Sequence, residues 1–412
     1  MTTNLSIALL DLVTCLAEAV DLISPSLAHH HQQVAFIAYS LAQELQLTPQ
    51  AQAELYLAGA LHDIGALSLQ ERIGTLQFEF EEGTEHERIA SDLLQQFPPL
   101  QPIARIIRHH HTYWEHGEGE FAPLASHIIH LADRVAVLIK KERNILSQKE
   151  SILARISAQK NKMFHPELVQ ALHSLAKKES FWFDTIYDTN FDQSLQPTFI
   201  TLNLEQLAQL AALFAKVIDF RSPFTATHSA GVAATAAKLA ELAGFKQHEV
   251  QLMHVAGHLH DLGKLAIPKE ILEKPGKLTP EEYNLIKSHT YYSYRLLQNI
   301  PGLETINTWA SLHHEHLDGS GYPFKLSADK LTPGSRIMAV ADVFTAIAED
   351  RPYRRGMAED EMLRILYSLA AKNHLDQEIV ELLQENLPAI NDTRLQAQEL
   401  AQQSYGRVIT NS

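Results

Sequence analysis

The sequence predicts an all-α protein made of two tandem copies of one helical domain. Three observations lead there. Apolar residues recur at helical spacing along most of the 412 residues, strand-like alternation is scarce, and the first half aligns with the second at a nearly constant offset.

Taken in chain order, the stretch "NLSIALLDLVTCLAEAVDLIS" from Asn4 reads as an amphipathic helix. It carries Asp11, Glu18 and Asp21 and no basic residue at its start, so it does not resemble a signal peptide. "TPQAQAELYLAGALHDIGAL" from Thr48 places Leu55, Ala58, Gly59 and His62 on one helical stripe. "PTFITL", ending at Leu202, is the one run that invites a strand. Thr279-Pro280 followed by Glu281 and Glu282 is a helix start, because Pro fits the first turn and acids favour the helix N-terminus. "DEMLRILYSLAAK" from Asp360 is again helical, and "RLQAQELAQQ" from Arg394 reads as a short helix with no evident partner. The expected organisation is a first domain over 1–185, a polar linker over 186–203, a second domain over 204–390 and a tail over 391–412.

Bulk properties narrow the function. Hydrophobic content of 45% with 20% charged residues is globular. The formal net charge of −15 argues against a DNA or RNA polymer and against an anionic membrane as partner. No apolar run is long enough to span a bilayer. A single cysteine, Cys15, fits a cytoplasmic protein without internal disulfides. The unusual count is histidine, at 23.

Those histidines survive the duplication. "LHDIGAL" at Leu61 matches "LHDLGKL" at Leu259, "HHTYWEHGEG" at His110 matches "HHEHLDGSGY" at His313, and "HIIHLADRV" at His127 matches "RIMAVADVF" at Arg336. Counterparts lie 198 residues apart at His30 and His228, 203 apart at His110 and His313, and 209 apart at Asp133 and Asp342. The drift is what small loop insertions produce. The second half keeps His228, His260, Asp261, His289, His313, His314 and Asp342. The first half keeps His30, His62, Asp63, His86, His110, His111 and Asp133.

Each of these residues alone has a plainer role. A histidine on an apolar helix stripe is usually a hydrogen-bonded core residue, and His313-His314 could be a surface pair. Asp342 is harder to dismiss, since "IMAVADVFTAIA" has no basic residue one turn away and a bare buried carboxylate costs several kcal/mol, roughly. Five imidazoles and two carboxylates repeated in order suit a pair of divalent transition ions. Such a pair can activate water and clamp a phosphate ester.

At this point the second half resembles an HD-GYP domain of the HD superfamily of metal-dependent phosphohydrolases. The resemblance rests on "HDLGKLAIP" at 260–268, "HHEHLDGSGYP" at 313–323 and "RIMAVADVFTAIAEDRPYR" at 336–354. It implies an all-α fold and a two- or three-metal centre that hydrolyses cyclic dinucleotides, chiefly cyclic di-GMP, to linear pGpG or GMP. It implies that the seven residues of the second half are ligands, that Asp261 bridges two ions, and that Lys264 holds the scissile phosphate. Gly321, Tyr322 and Pro323 become the substrate-facing loop, and Arg351 and Arg354 contact nucleotide phosphate or base. The ions implied are iron or manganese. The protein partners implied are a second copy of the chain or a diguanylate cyclase domain.

Three departures qualify the resemblance. Phe224 stands where some members have a glutamate for a third metal, which favours two ions. Thr345 stands where many have aspartate. The first half has Ala66 in place of the lysine and lacks Gly-Tyr-Pro, so it resembles the wider superfamily or a degenerate copy that binds metal and turns over cyclic dinucleotide poorly. Competing readings are 3′,3′-cyclic GMP-AMP as substrate, a non-catalytic nucleotide-sensing signalling module, and nucleotide triphosphohydrolysis. The Gly-Tyr-Pro loop speaks against the last.

Overall fold

The computed structural model describes residues 5–22, 28–66, 74–79, 85–117, 122–187, 200–219, 227–274, 276–349 and 356–409. Phe224, Arg351, Arg354 and most of the expected linker lie outside them. Two compact units result, Ala8–Thr201 and Leu202–Ser412 together with Met1–Ile7. Among the described residues the only strands are β1 (Ile7–Ala8) and β2 (Thr201–Leu202), paired with each other, so "PTFITL" supplies one of them.

The first unit contains α1 (Leu9–Asp21), α2 (His30–Glu44), α3 (Pro49–Leu61), α4 (Glu85–Leu94), α5 (Gln101–Arg108), α6 (Leu124–Leu138), α7 (Lys149–Ala158), α8 (Pro166–Leu175) and α9 (Glu179–Tyr187). Its centre is α2 packed on α3 and α6. The expectation of an amphipathic α1 holds, with a narrow outer face of Asp11, Thr14 and Glu18. Ten of its 13 residues are buried, including Cys15 and Asp21, and the three that are not recur at i, i+3 and i+7.

The second unit contains α10 (Leu204–Asp219), α11 (His228–Leu242), α12 (Gln247–Leu259), α13 (Pro280–Leu297), α14 (Glu304–Ser311), α15 (Pro333–Ala348), α16 (Glu359–Ala371), α17 (Gln377–Glu385) and α18 (Leu387–Ile409). Its centre repeats the first, with α11 packed on α12 and α15. Thr279 caps α13 as the sequence predicts, in a reciprocal capping box with Glu282. The segment read as a tail with a short helix is instead the 23-residue α18, and it packs along α11.

The duplication is visible in the backbone. A Cβ on Gly59 would lie 2.7 Å from Ala35 Cα, and one on Gly257 would lie 2.4 Å from Ala233 Cα. In both repeats glycine is what lets two helices cross this closely and bring their histidines together. No helix among the described residues is long and apolar enough to cross a membrane.

Candidate metal centre

In the second repeat, five structural pieces contribute to one buried cluster. His228 opens α11, and His260-Asp261 follow α12 where the chain tightens into a 3₁₀ turn over Leu262–Ala266. His289 comes from α13, His313-His314 from the end of α14 and Asp342 from α15. Gly263 makes the tight packing possible, because a Cβ there would lie 2.0 Å from His289 O.

All seven expected side chains converge. His228 Nε2 is 3.3 Å from Asp342 Oδ1, and His260 Nε2 is 3.1 Å from Asp261 Oδ2. On the other side His289 Nε2 lies 3.4 Å from Asp261 Oδ1 and 3.4 Å from His313 Nε2. His314 Nδ1 is 3.9 Å from Asp342 Oδ2. Asp261 thus turns one oxygen toward each half of the cluster. The groups His228–His260–Asp261 and His289–His313–His314 each have ligand atoms within 4.8 Å of one another.

The rings are oriented by the helices themselves. Nδ1 of His260, His289 and His313 lies 2.7, 2.5 and 2.6 Å from the carbonyl oxygen three residues earlier, which aims Nε2 at the cluster. Burial pushes His289 down to about 3 and His314 to about 4, so these rings are neutral donors near neutral pH. Burial also works against ionising Asp261 and Asp342. The imidazoles around both, and the Lys264 ammonium at Asp261, nevertheless hold them well below the usual carboxylate range. Neutral imidazoles and ionised carboxylates are what a transition ion requires. Asp261 Oδ1 is buried without a hydrogen-bond partner, as expected of a carboxylate that ligates. The residues present therefore fit divalent ions.

Lys264 Nζ is 2.5 Å from Asp261 Oδ2 and its side chain is 24% exposed, so it stands at the mouth of the cluster. The loop after His314 folds back close by. A Cβ on Gly321 would meet the backbone of Glu315 and His316 at about 2.5 Å, and the Tyr322 ring tilts on His314 at 4.9 Å. Sequence reasoning missed Glu315, the acid between the histidines. It is buried and accepts from the backbone N–H of Phe324, Lys325 and Leu326 at 2.6, 3.1 and 2.9 Å, which pins the loop's return. Thr345 is buried, its hydroxyl 3.5 Å from that of Thr235.

The first repeat assembles its seven counterparts just as tightly. His30 Nε2 is 3.3 Å from Asp133 Oδ1, His86 Nε2 is 3.2 Å from Asp63 Oδ1, and His110 Nε2 is 3.5 Å from the same oxygen. His62 Nε2 lies 3.5 Å from Asp63 Oδ2, and His111 joins Asp63, His86 and His110 in one group. Nε2 of His30, His62 and His110, with Oδ1 of Asp63 and Asp133, are buried without hydrogen-bond partners. These atoms too fit an ion. What differs is access. Arg134, fully buried, bonds Asp133 Oδ2 and the carbonyls of Thr75, Gln77 and Phe78, which holds that segment beside Asp133. Every ligand-type side chain there is at most 5% exposed, whereas His314 is 29% exposed.

A family profile described as "HD domain" matches residues 212–379, and another of the same description matches residues 27–138. Over 392 residues the chain is 32% identical to 3′3′-cGAMP-specific phosphodiesterase 1 of Vibrio cholerae, covering 90% of each. The chain is a tandem HD-domain phosphohydrolase. This phosphohydrolase is also 31% identical over 287 residues to 3′3′-cGAMP-specific phosphodiesterase 3 of the same organism, covering 67% of this chain and 61% of that one. It is 35% identical over 226 residues to a cyclic di-GMP phosphodiesterase of Thermotoga maritima, covering 54% and 58%. A crystal structure of a cyclic GMP-AMP-specific phosphodiesterase from V. cholerae shares the fold, with a TM-score of 0.66, 24% identity and coverage of 93% of this chain and 98% of that one.

Proposed function

We propose that this phosphohydrolase is a cyclic dinucleotide phosphodiesterase whose second repeat cleaves a 3′–5′ phosphodiester. The observation that carries the reading is a cluster of seven ligand-type side chains with Lys264 and Tyr322 at its open edge. His228, His260, Asp261, His289, His313, His314 and Asp342 would hold two ions, iron or manganese, with Asp261 between them. The ions would polarise the phosphate ester and activate water. Lys264 would meet the charge that develops on the phosphate oxygens. Gly321 to Pro323 would place the Tyr322 ring against a base. Arg351 and Arg354 would add positive charge for an anionic substrate on a chain of net charge −15.

Sequence resemblance led first to cyclic di-GMP, giving pGpG or GMP. The relative that spans 90% of both chains bears the name of a 3′3′-cGAMP-specific enzyme, which favours 3′,3′-cyclic GMP-AMP as the substrate here. The Thermotoga relative supports cyclic di-GMP as the second reading. A cytoplasmic setting suits both. Anaerobically purified, manganese- or iron-loaded protein should be given each nucleotide and followed by chromatography. Faster loss of cyclic GMP-AMP supports the first reading, and preference for cyclic di-GMP supports the second. Binding without cleavage of either would leave a sensing module.

The first repeat, residues 1–185 by sequence, would hold ions in a closed centre and support the second, residues 204–390. Ala66 offers no cation where Lys264 stands, and Arg134 occupies one oxygen of Asp133.

A further inference from the structure

We propose that the C-terminal helix α18 completes the second repeat's metal centre by holding Glu349, which in turn fixes the ring of His228. This rests on reading that cluster as a metal site. His260, His289 and His313 each orient their rings with a carbonyl three residues earlier. His228 is the first residue of α11, so no preceding turn of that helix can do this for it. Its Nδ1 lies instead 3.0 Å from Glu349 Oε2, one residue past the end of α15. With the Nδ1 proton given to Glu349, the Nε2 lone pair is the one left facing Asp342 and the cluster.

Glu349 does not stand alone. Its other carboxylate oxygen accepts from Gln398 Nε2. Gln398 Oε1 accepts from Arg394 Nη1 at 2.6 Å, and Arg394 is braced by Asn391 Oδ1 at 3.0 and 2.8 Å. Gln398 Nε2 also lies 3.4 Å from the carbonyl of Thr227, the residue before His228. A Cβ on Gly231 would come within 2.7 Å of that amide, so the helix surface of α11 is open just where Gln398 enters. Glu349, Gln398 and Arg394 are all at most 9% exposed. A carboxylate so buried needs its bonds satisfied, and the nearby guanidinium balances its charge through the amide. The network runs from α18 to His228 without a gap. Glu349, Gln398 and Arg394 are therefore positioning residues.

The test uses full-length protein and two readouts, Mn²⁺ retained per chain after dialysis against a chelator and the Mn²⁺ concentration giving half-maximal hydrolysis. Glu349→Ala should raise that concentration about 10–100-fold and lose the second centre's share of retained ion. Glu349→Gln, which can still accept the Nδ1 proton, should recover part of the loss. Gln398→Ala should shift both readouts the same way by less, with kcat restored at saturating Mn²⁺. It also provides the measurement if Glu349→Ala does not fold. Wild-type Mn²⁺ dependence in Glu349→Ala or Gln398→Ala overturns the proposal, as does a thermal destabilisation of Gln398→Ala with metal retention unchanged. Asp261→Ala is the control. If it too retains Mn²⁺ as the wild type does, the metal-site reading fails along with this proposal. If it loses Mn²⁺ while Glu349→Ala does not, only this proposal fails.

Discussion

The two oxygens of Asp261 face different histidines, Oδ2 toward His260 and Oδ1 toward His289, while Lys264 leans on the His260 side. A carboxylate placed this way can serve two ions at once, and a lysine beside it can reach past them to a phosphate. The two substitutions should therefore separate. Asp261→Ala should release metal and lose activity together, by about 10³-fold or more, because water cannot replace a bridge held from the chain. Lys264→Ala should keep its metal, measured by elemental analysis, and lose about 10²–10³-fold in kcat with little change in metal content. Full metal and activity in Asp261→Ala would remove the basis for both. Histidines and the two aspartates were legible because few other roles demand that residue set twice in order. Glu315, Glu349 and Arg134 were not. An acid in a polar loop or an arginine after an aspartate looks like solvated surface until burial and hydrogen-bond partners are known.

Along an element, α13 presents Tyr283 and Lys287 one turn apart beside the returning Gly-Tyr-Pro loop. Lys287 Nζ sits 4.6 Å from the Tyr283 ring centroid and 5.8 Å from that of Tyr322. An ammonium between two aromatic faces favours a stacked, electron-rich base with phosphate nearby. Lys287→Ala and Tyr322→Ala should each raise KM for cyclic dinucleotide about 5–30-fold, with kcat falling less, as steady-state kinetics would show; the expected range corresponds to about 1–2 kcal/mol of lost stacking and charge. Unchanged KM in both variants would place the base elsewhere. The buried α1 gives a second element-scale test. Burial and the nearby Glu18 push the Cys15 thiol up, out of the reactive range. The folded protein should resist alkylation at pH 8, and labelling followed by mass spectrometry should report unfolding of the first unit. Helices were readable from periodicity, and α13 even from its cap. The burial of α1 and the length of α18 were not, since periodicity describes one face at a time and does not show what packs on the other.

For the whole molecule, the duplication yields two clusters of one donor chemistry with different access. In the second repeat His314 and Lys264 reach the surface. In the first, Arg134 bonds the carbonyls of Thr75, Gln77 and Phe78 beside Asp133, the seven ligand-type side chains are buried, and Ala66 is fully buried. A diester cannot approach ions it cannot reach, and Ala66 offers no charge where Lys264 stands in the second repeat. Asp63→Ala should therefore lower the metal bound per chain while retaining at least about half of the wild-type kcat, a change within roughly 0.4 kcal/mol in barrier. The same variant should melt earlier, because Nε2 of His62 and His110 would stay buried after losing the Asp63 carboxylate beside them. The three measurements together distinguish the roles. Metal loss and a lower Tm with activity kept mark a centre that supports the fold, whereas a collapse of kcat matching that of Asp261→Ala would make both repeats part of one catalytic apparatus. Sequence alone showed that the donors were duplicated and that the lysine was not. It could not show the closure, because Arg134 beside Asp133 is held by backbone carbonyls, which any sequence supplies.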